Sequence, residues 1–127
     1  MKKFITFIAF LFVTLGFAQG QSLLGPDNFD KETSRGIIVV EFWASWNDAN
    51  SPEWINKLKE CEVYRVDIGI HMDLQSEFEI TSIPTIIIFN NGNVEETFNA
   101  NIMFQLEADK KEVQAKGFID NTVGSEV

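Results

Sequence analysis

Few side chains in these 127 residues can carry covalent or acid–base chemistry, and their spacing narrows the field. Cys61 is the single cysteine and His71 the single histidine, so any thiol or hydroxyl nucleophile has one imidazole to draw on. One Cys, one His and scattered carboxylates do not form a zinc or calcium ligand set, and no glycine-rich phosphate loop is present. Neither a metal nor a cofactor is expected. A lone cysteine also closes no intramolecular disulfide. Two readings of Cys61 stand: a small apolar group at the far end of a helix, or a reactive thiol open to intermolecular disulfides. The densest polar cluster is Asn47-Asp48-Ala49-Asn50, directly after an apolar run. Asn and Asp there hydrogen-bond the first N–H groups of a helix, and neither is a nucleophile.

The elements that must position these groups follow from periodicity and punctuation. Ile37-Ile38-Val39-Val40-Glu41-Phe42-Trp43 is a near-continuous apolar, β-branched run, the pattern of a central strand covered on both faces, with Trp43 expected in the core. Before it, Ser22-Leu23-Leu24 reads as a short edge strand, and Asp27 as the cap of a helix that Gly36 ends. After it, Ser51 caps and Pro52 opens a helix whose Trp54, Ile55, Leu58 and Cys61 share one face. A strand over 62–68 and a short helix over 72–78 come next, with His71 expected at the end of the sheet opposite the polar turn. Thr85-Ile86-Ile87-Ile88-Phe89, the hairpin signal Asn91-Gly92 and an edge strand over 94–98 complete the sheet. Residues 99–105 give no clear pattern. A last helix starts from a capping box at Asp109 and Glu112 and turns Val113, Phe118 and Ile119 inward. This order predicts an α/β fold, a central mixed β-sheet flanked by helices on both faces.

The N-terminus reads as an export signal. Lys2 and Lys3 precede an apolar run from Phe4 to Phe17 that ends in Gly16-Phe17-Ala18, small residues where a signal peptidase reads. The run falls short of the about 20 apolar residues that span a bilayer, so the expectation is a leader over 1–18, cleaved after Ala18, and one domain over 19–127 with no stable membrane insertion. Export places the chain in a bacterial periplasm or outside the cell. The formal charge is −9, and the leader would remove two of the positive residues. So acidic a surface repels nucleic acid and anionic lipid, which leaves a protein or peptide in the cell envelope as the expected partner.

Three segments, in order, resemble the thioredoxin superfamily. Val39-Val40-Glu41-Phe42-Trp43-Ala44-Ser45-Trp46 is similar to the strand and tryptophan pair that lead into the family's Cys-x-x-Cys. Tyr64-Arg65-Val66-Asp67, then Leu74, Phe78 and Ile80, resemble the strand and helix before its proline, and Ile80-Thr81-Ser82-Ile83-Pro84-Thr85 resembles its cis-proline loop. The resemblance implies a thioredoxin-like fold and a cis Ile83–Pro84 bond. It also implies a partly buried ion pair between Glu41 and Arg65, where the family keeps a carboxylate and a lysine under the active site. The departures weigh more. Asn47 and Asn50 stand at the two cysteine positions, with Asp48 and Ala49 between them, so neither the attacking thiolate nor the resolving thiol of a dithiol exchanger is present.

The resemblance further implies that Trp46, exposed beside Pro84, and the backbone of Ile83 could receive an extended peptide, while Trp46 as a mere shield over the sheet is the alternative. No catalytic residue is assigned. The expected function is a redox-inactive binding or structural module; the alternatives are a residual role in redox homeostasis through Cys61 or a redox-active partner, and a peptide-groove chaperone.

Overall fold

A strand with apolar residues on both faces needs cover on both, and Ile37–Trp43 receives it at the centre of a five-stranded sheet. The computed structural model describes residues 22–116. The expected leader over 1–18 lies outside the described residues, as do Gly117, Phe118 and Ile119. The strands are β1 (Ser22–Leu23), β2 (Ile37–Trp43), β3 (Glu62–Asp67), β4 (Thr85–Asn90) and β5 (Asn93–Phe98), in the spatial order β1-β3-β2-β4-β5. β3 runs parallel to β1 and β2, with Glu41 opposite Arg65, whereas β4 is antiparallel to both β2 and β5. The hairpin between β4 and β5 turns on Asn91 and Gly92 at φ 52° and 89°, the positive values a two-residue connection of this kind requires.

Alternation along β2 divides the core. Ile38, Val40 and Phe42 face one layer with α1 (Phe29–Thr33) and α2 (Met72–Glu77), where Phe29, Phe78 and Phe89 pack with ring centroids 5.0 to 5.6 Å apart. Val39 faces the other layer with Ile55, Leu58, Ile88 and Val113. Trp43 has the parity of Val39 and Glu41 and stands at the strand's exit, so it is half-buried over charged neighbours and does not enter the core as expected. α1 begins one residue later than a cap at Asp27 requires. Asn28 takes the cap position, and its side chain accepts from the Gly25 N–H instead.

The helix expected from Pro52 to Cys61 is absent. One 3₁₀ segment, Glu53–Lys57, stands in its place, and another, Ser45–Asn50, precedes it. Ser51 and Pro52 are both extended, at ψ 132° and 122°, as a residue preceding proline prefers. Ile55 and Leu58 still share the inward face, because a spacing of three suits a 3₁₀ turn as well. Cys61 falls beyond it. The chain turns back at Glu60, φ 63°, to bring Glu62 alongside Ile38, and a continuing helix could not do so. The Gln114 amide clamps this corner, accepting from Lys59 N and donating to Lys59 O. Gln114 belongs to the last helix, α3, described over 110–116, whose Asp109 carboxylate accepts from the Glu112 N–H.

His71 lies at the same end as the polar turn, not the opposite one. β2 and β3 are parallel, so both exit together, and Ile68 N donates to Trp43 O at 2.9 Å. The imidazole packs against Gly25, where a Cβ would come within 3.2 Å of it.

The aromatic layer gives a direct test. Phe29 is 2% exposed, and Phe29→Ala is expected to cost about 3–5 kcal/mol, read as a lower urea midpoint with an unchanged slope.

Candidate functional site

Where β2 and β3 exit the sheet, a carboxylate with no solvent exposure meets a guanidinium. Glu41 Oε1 accepts from Arg65 Nε and Nη2, both at 3.3 Å. Ser51 Oγ donates to Glu41 Oε2 at 2.6 Å and accepts from Arg65 Nη2 at 2.7 Å. Arg65 Cζ stacks 4.3 Å from the Trp43 ring centroid, and the Trp43 indole N–H donates to Asp48 Oδ1 at 3.0 Å. Asp48 lies 3.7 Å from Arg65 Nη1. Asp48 is therefore the outer member of a charge network rather than a helix cap. An open polar groove beside it is lined by Asp48, Ser51, Glu53, Asn56 and Arg65.

Asn47 is 7% exposed, and its carboxamide is engaged on both sides. Nδ2 donates to the Ile83 carbonyl and to the Phe104 carbonyl, each at 3.1 Å, while Oδ1 accepts from Asn50 Nδ2 at 2.8 Å. Both asparagines at the cysteine positions thus bond inward, and neither fills the helix-capping role that their residue type suggested. Ile83 and Pro84 are joined by a cis peptide and are both buried. Of the Ile83 backbone, which the resemblance offered to a bound peptide, the carbonyl accepts from Asn47. Only Trp46 of the expected peptide-binding trio is exposed, at 67%.

The segment that gave no pattern in the sequence completes the site. Ala100 O accepts from Ser82 Oγ, Asn99 Oδ1 accepts from Thr85 Oγ1, and the Phe104 ring meets Trp46 edge-on at 5.2 Å. Phe104 sits at φ 59°, an uncommon conformation for an aromatic residue. Sequence reasoning missed Ser51 and Phe104. Three large apolar residues between Asn101 and Gln105, in a stretch with neither helical nor strand period, were the available signal. Cys61 is remote from all of this. It packs against the layer of Ile55 and Leu58, and burial pushes its thiol up to about 11, with the nearby Glu62 carboxylate adding to the effect. A thiol so raised carries little thiolate at neutral pH.

Two substitutions test the network. Arg65→Met takes the guanidinium away from the buried Glu41 carboxylate and is expected to cost about 3–5 kcal/mol, whereas adding Glu41→Leu recovers most of the loss, as a double-mutant cycle in urea would report. Asn47→Asp turns a donor toward two carbonyls into an acceptor. It is expected to destabilise by about 2 kcal/mol or more and to speed amide exchange across 99–106, with Asn47→Ala less severe.

Comparisons with known proteins agree with this architecture. The family profile described as Thioredoxin matches residues 21–112. The thioredoxin of Mycoplasma genitalium is 33% identical over 61 residues, which cover 43% of this chain and 60% of that protein. The Bacillus subtilis thioredoxin is 28% identical over 80 residues, 55% of this chain and 74% of its own length. Among solved structures, Malassezia sympodialis thioredoxin superposes with a TM-score of 0.62 at 22% identity, over 79% of this chain and 90% of that one. Plasmodium falciparum thioredoxin gives 0.59 at 20%, over 75% and 95%. Likeness at that identity speaks to the fold alone. With the profile spanning most of its length and one cysteine in its sequence, this chain belongs to the thioredoxin family and carries no Cys-x-x-Cys dithiol.

Proposed function

We propose that the chain is an exported, redox-inactive member of its family that works as a binding or structural module in the cell envelope. The observation that carries this reading is the Asn47 carboxamide. At the position of the attacking thiolate stands a neutral amide held by two backbone carbonyls and by Asn50. Thiol–disulfide exchange needs a sulfur that can reach a substrate, and Cys61 is half-buried in another layer with its thiol held protonated. Glu41, which the resemblance places under the active site, is held by Arg65 and Ser51. Support for export comes from Lys2, Lys3 and the apolar run that ends at Ala18.

The deciding measurement is dithiol-dependent insulin reduction by the purified chain. The expected rate equals the uncatalysed baseline, with the wild-type chain and Cys61→Ser indistinguishable. Turnover that disappears with Cys61→Ser would restore the role in redox homeostasis, and turnover that survives it would overturn the redox-inactive reading altogether.

A further inference from the structure

Most large apolar side chains among the described residues are buried, and the exceptions gather at one end. Trp46, Ile70, Met72, Ile102, Met103 and Phe104 are exposed, between 42% and 94%. Leu23 and Val94, the other two, belong to the edge strands β1 and β5. The six come from the segments after β2, β3 and β5, and the pairing of the strands brings those three exits to the same end of the sheet.

Ile102 and Met103 form the tip of a finger. Its neck is the bridge between Ala100 and Leu106. Asn101 N donates to Gln105 O at 2.9 Å, Phe104 N donates to Asn101 O at 3.0 Å, and Asn101 Oδ1 accepts from Met103 N and Gln105 N at 2.8 and 3.1 Å. Asn47 holds the Phe104 carbonyl from below, and Trp46 supports the Phe104 ring. The finger's backbone is thus tied within the chain while Ile102 stays 94% exposed. A protrusion ordered before binding loses little entropy on docking, and covering such side chains removes apolar surface from water.

The charge around it selects the partner. Segments 44–50, 67–73, 79–84 and 99–107 carry Asp48, Asp67, Asp73, Glu79 and Glu107 but no lysine or arginine, and Arg65, which borders Asp48, is held by Glu41 and Asp48. A second copy of this end, or an anionic lipid surface, would be repelled. We infer that the Ile102–Met103 finger, with Trp46 beside it, docks onto a protein surface that presents an apolar strip flanked by lysine or arginine. The inference rests on the proposed binding role and deepens it. The chain presents a finger at this end, where Ile83 and Pro84 are buried and Trp46 stands exposed.

The test uses the whole chain and a helical peptide of leucine and lysine with one apolar face, titrated by calorimetry. Binding is expected to weaken at least about ten-fold in Ile102→Asp/Met103→Asp, the loss of two buried side chains, and to stay within about two-fold in Val94→Asp, an exposed apolar position at the far end of β5 from the finger. It should also weaken as salt is raised. A leucine–glutamate peptide binding equally well, or lysine-peptide binding unchanged by the double variant, would overturn the inference. So would adsorption to phosphatidylcholine vesicles or self-association in sedimentation, if either is lost in the double variant in place of peptide binding. Failure of the peptide alongside silent insulin reduction removes the docking surface and leaves the redox-inactive reading standing, whereas insulin turnover removes that reading whatever the peptide does.

Discussion

A carboxylate without solvent exposure, placed in the middle of the central strand, organises this end of the molecule. A buried carboxylate in an apolar sheet is costly unless it is paired, and the parallel register of β2 and β3 sets Arg65 opposite Glu41. Arg65 in turn needs more than one acceptor. Ser51 and Asp48 supply them, which draws the segment after β2 back across the sheet end, and Trp43 lies against the guanidinium as a lid. The extended pair Ser51-Pro52 gives that segment the bend it needs. A regular helix beginning straight after β2 would not place the Ser51 hydroxyl between the carboxylate and the guanidinium.

The same economy explains the site above the network. A cysteine is a weak hydrogen-bonding group, whereas a carboxamide offers two donors and an acceptor in fixed directions. Asn47 uses all of these to join the proline loop, the segment after β5 and Asn50. A position of chemical reactivity in the family has become a point of attachment here. That attachment positions Phe104, and through it the Trp46 contact and the exposed tip at Ile102 and Met103.

Much of this was legible along the chain. The strands β2 and β4 announced themselves through unbroken β-branched runs, and the hairpin through Asn91-Gly92, because those signals are local and strong. The segment after Pro52 departs from a regular helix for an equally physical reason. A spacing of three in Ile55 and Leu58 fits α and 3₁₀ turns alike, and only the need to return the chain to β3 separates them. Trp43 and His71 were misplaced because both depend on relations between strands: parity along β2 for the first, the shared exit of two parallel strands for the second.

The order of residues alone tells what chemistry is missing. One cysteine, with asparagine at both motif positions, removes the dithiol whatever the fold does, because no arrangement of side chains supplies an absent sulfur. It also determined the sheet's main strands, since burial on both faces requires apolar residues at consecutive positions. What the asparagines do instead depends on the assembled fold. Asn47 meets carbonyls 36 and 57 residues away, and an amide's partners at such separations are chosen by how the sheet brings its exits together. The exposed finger was decided in the same way, because an apolar tripeptide is core or surface according to what the fold places around it.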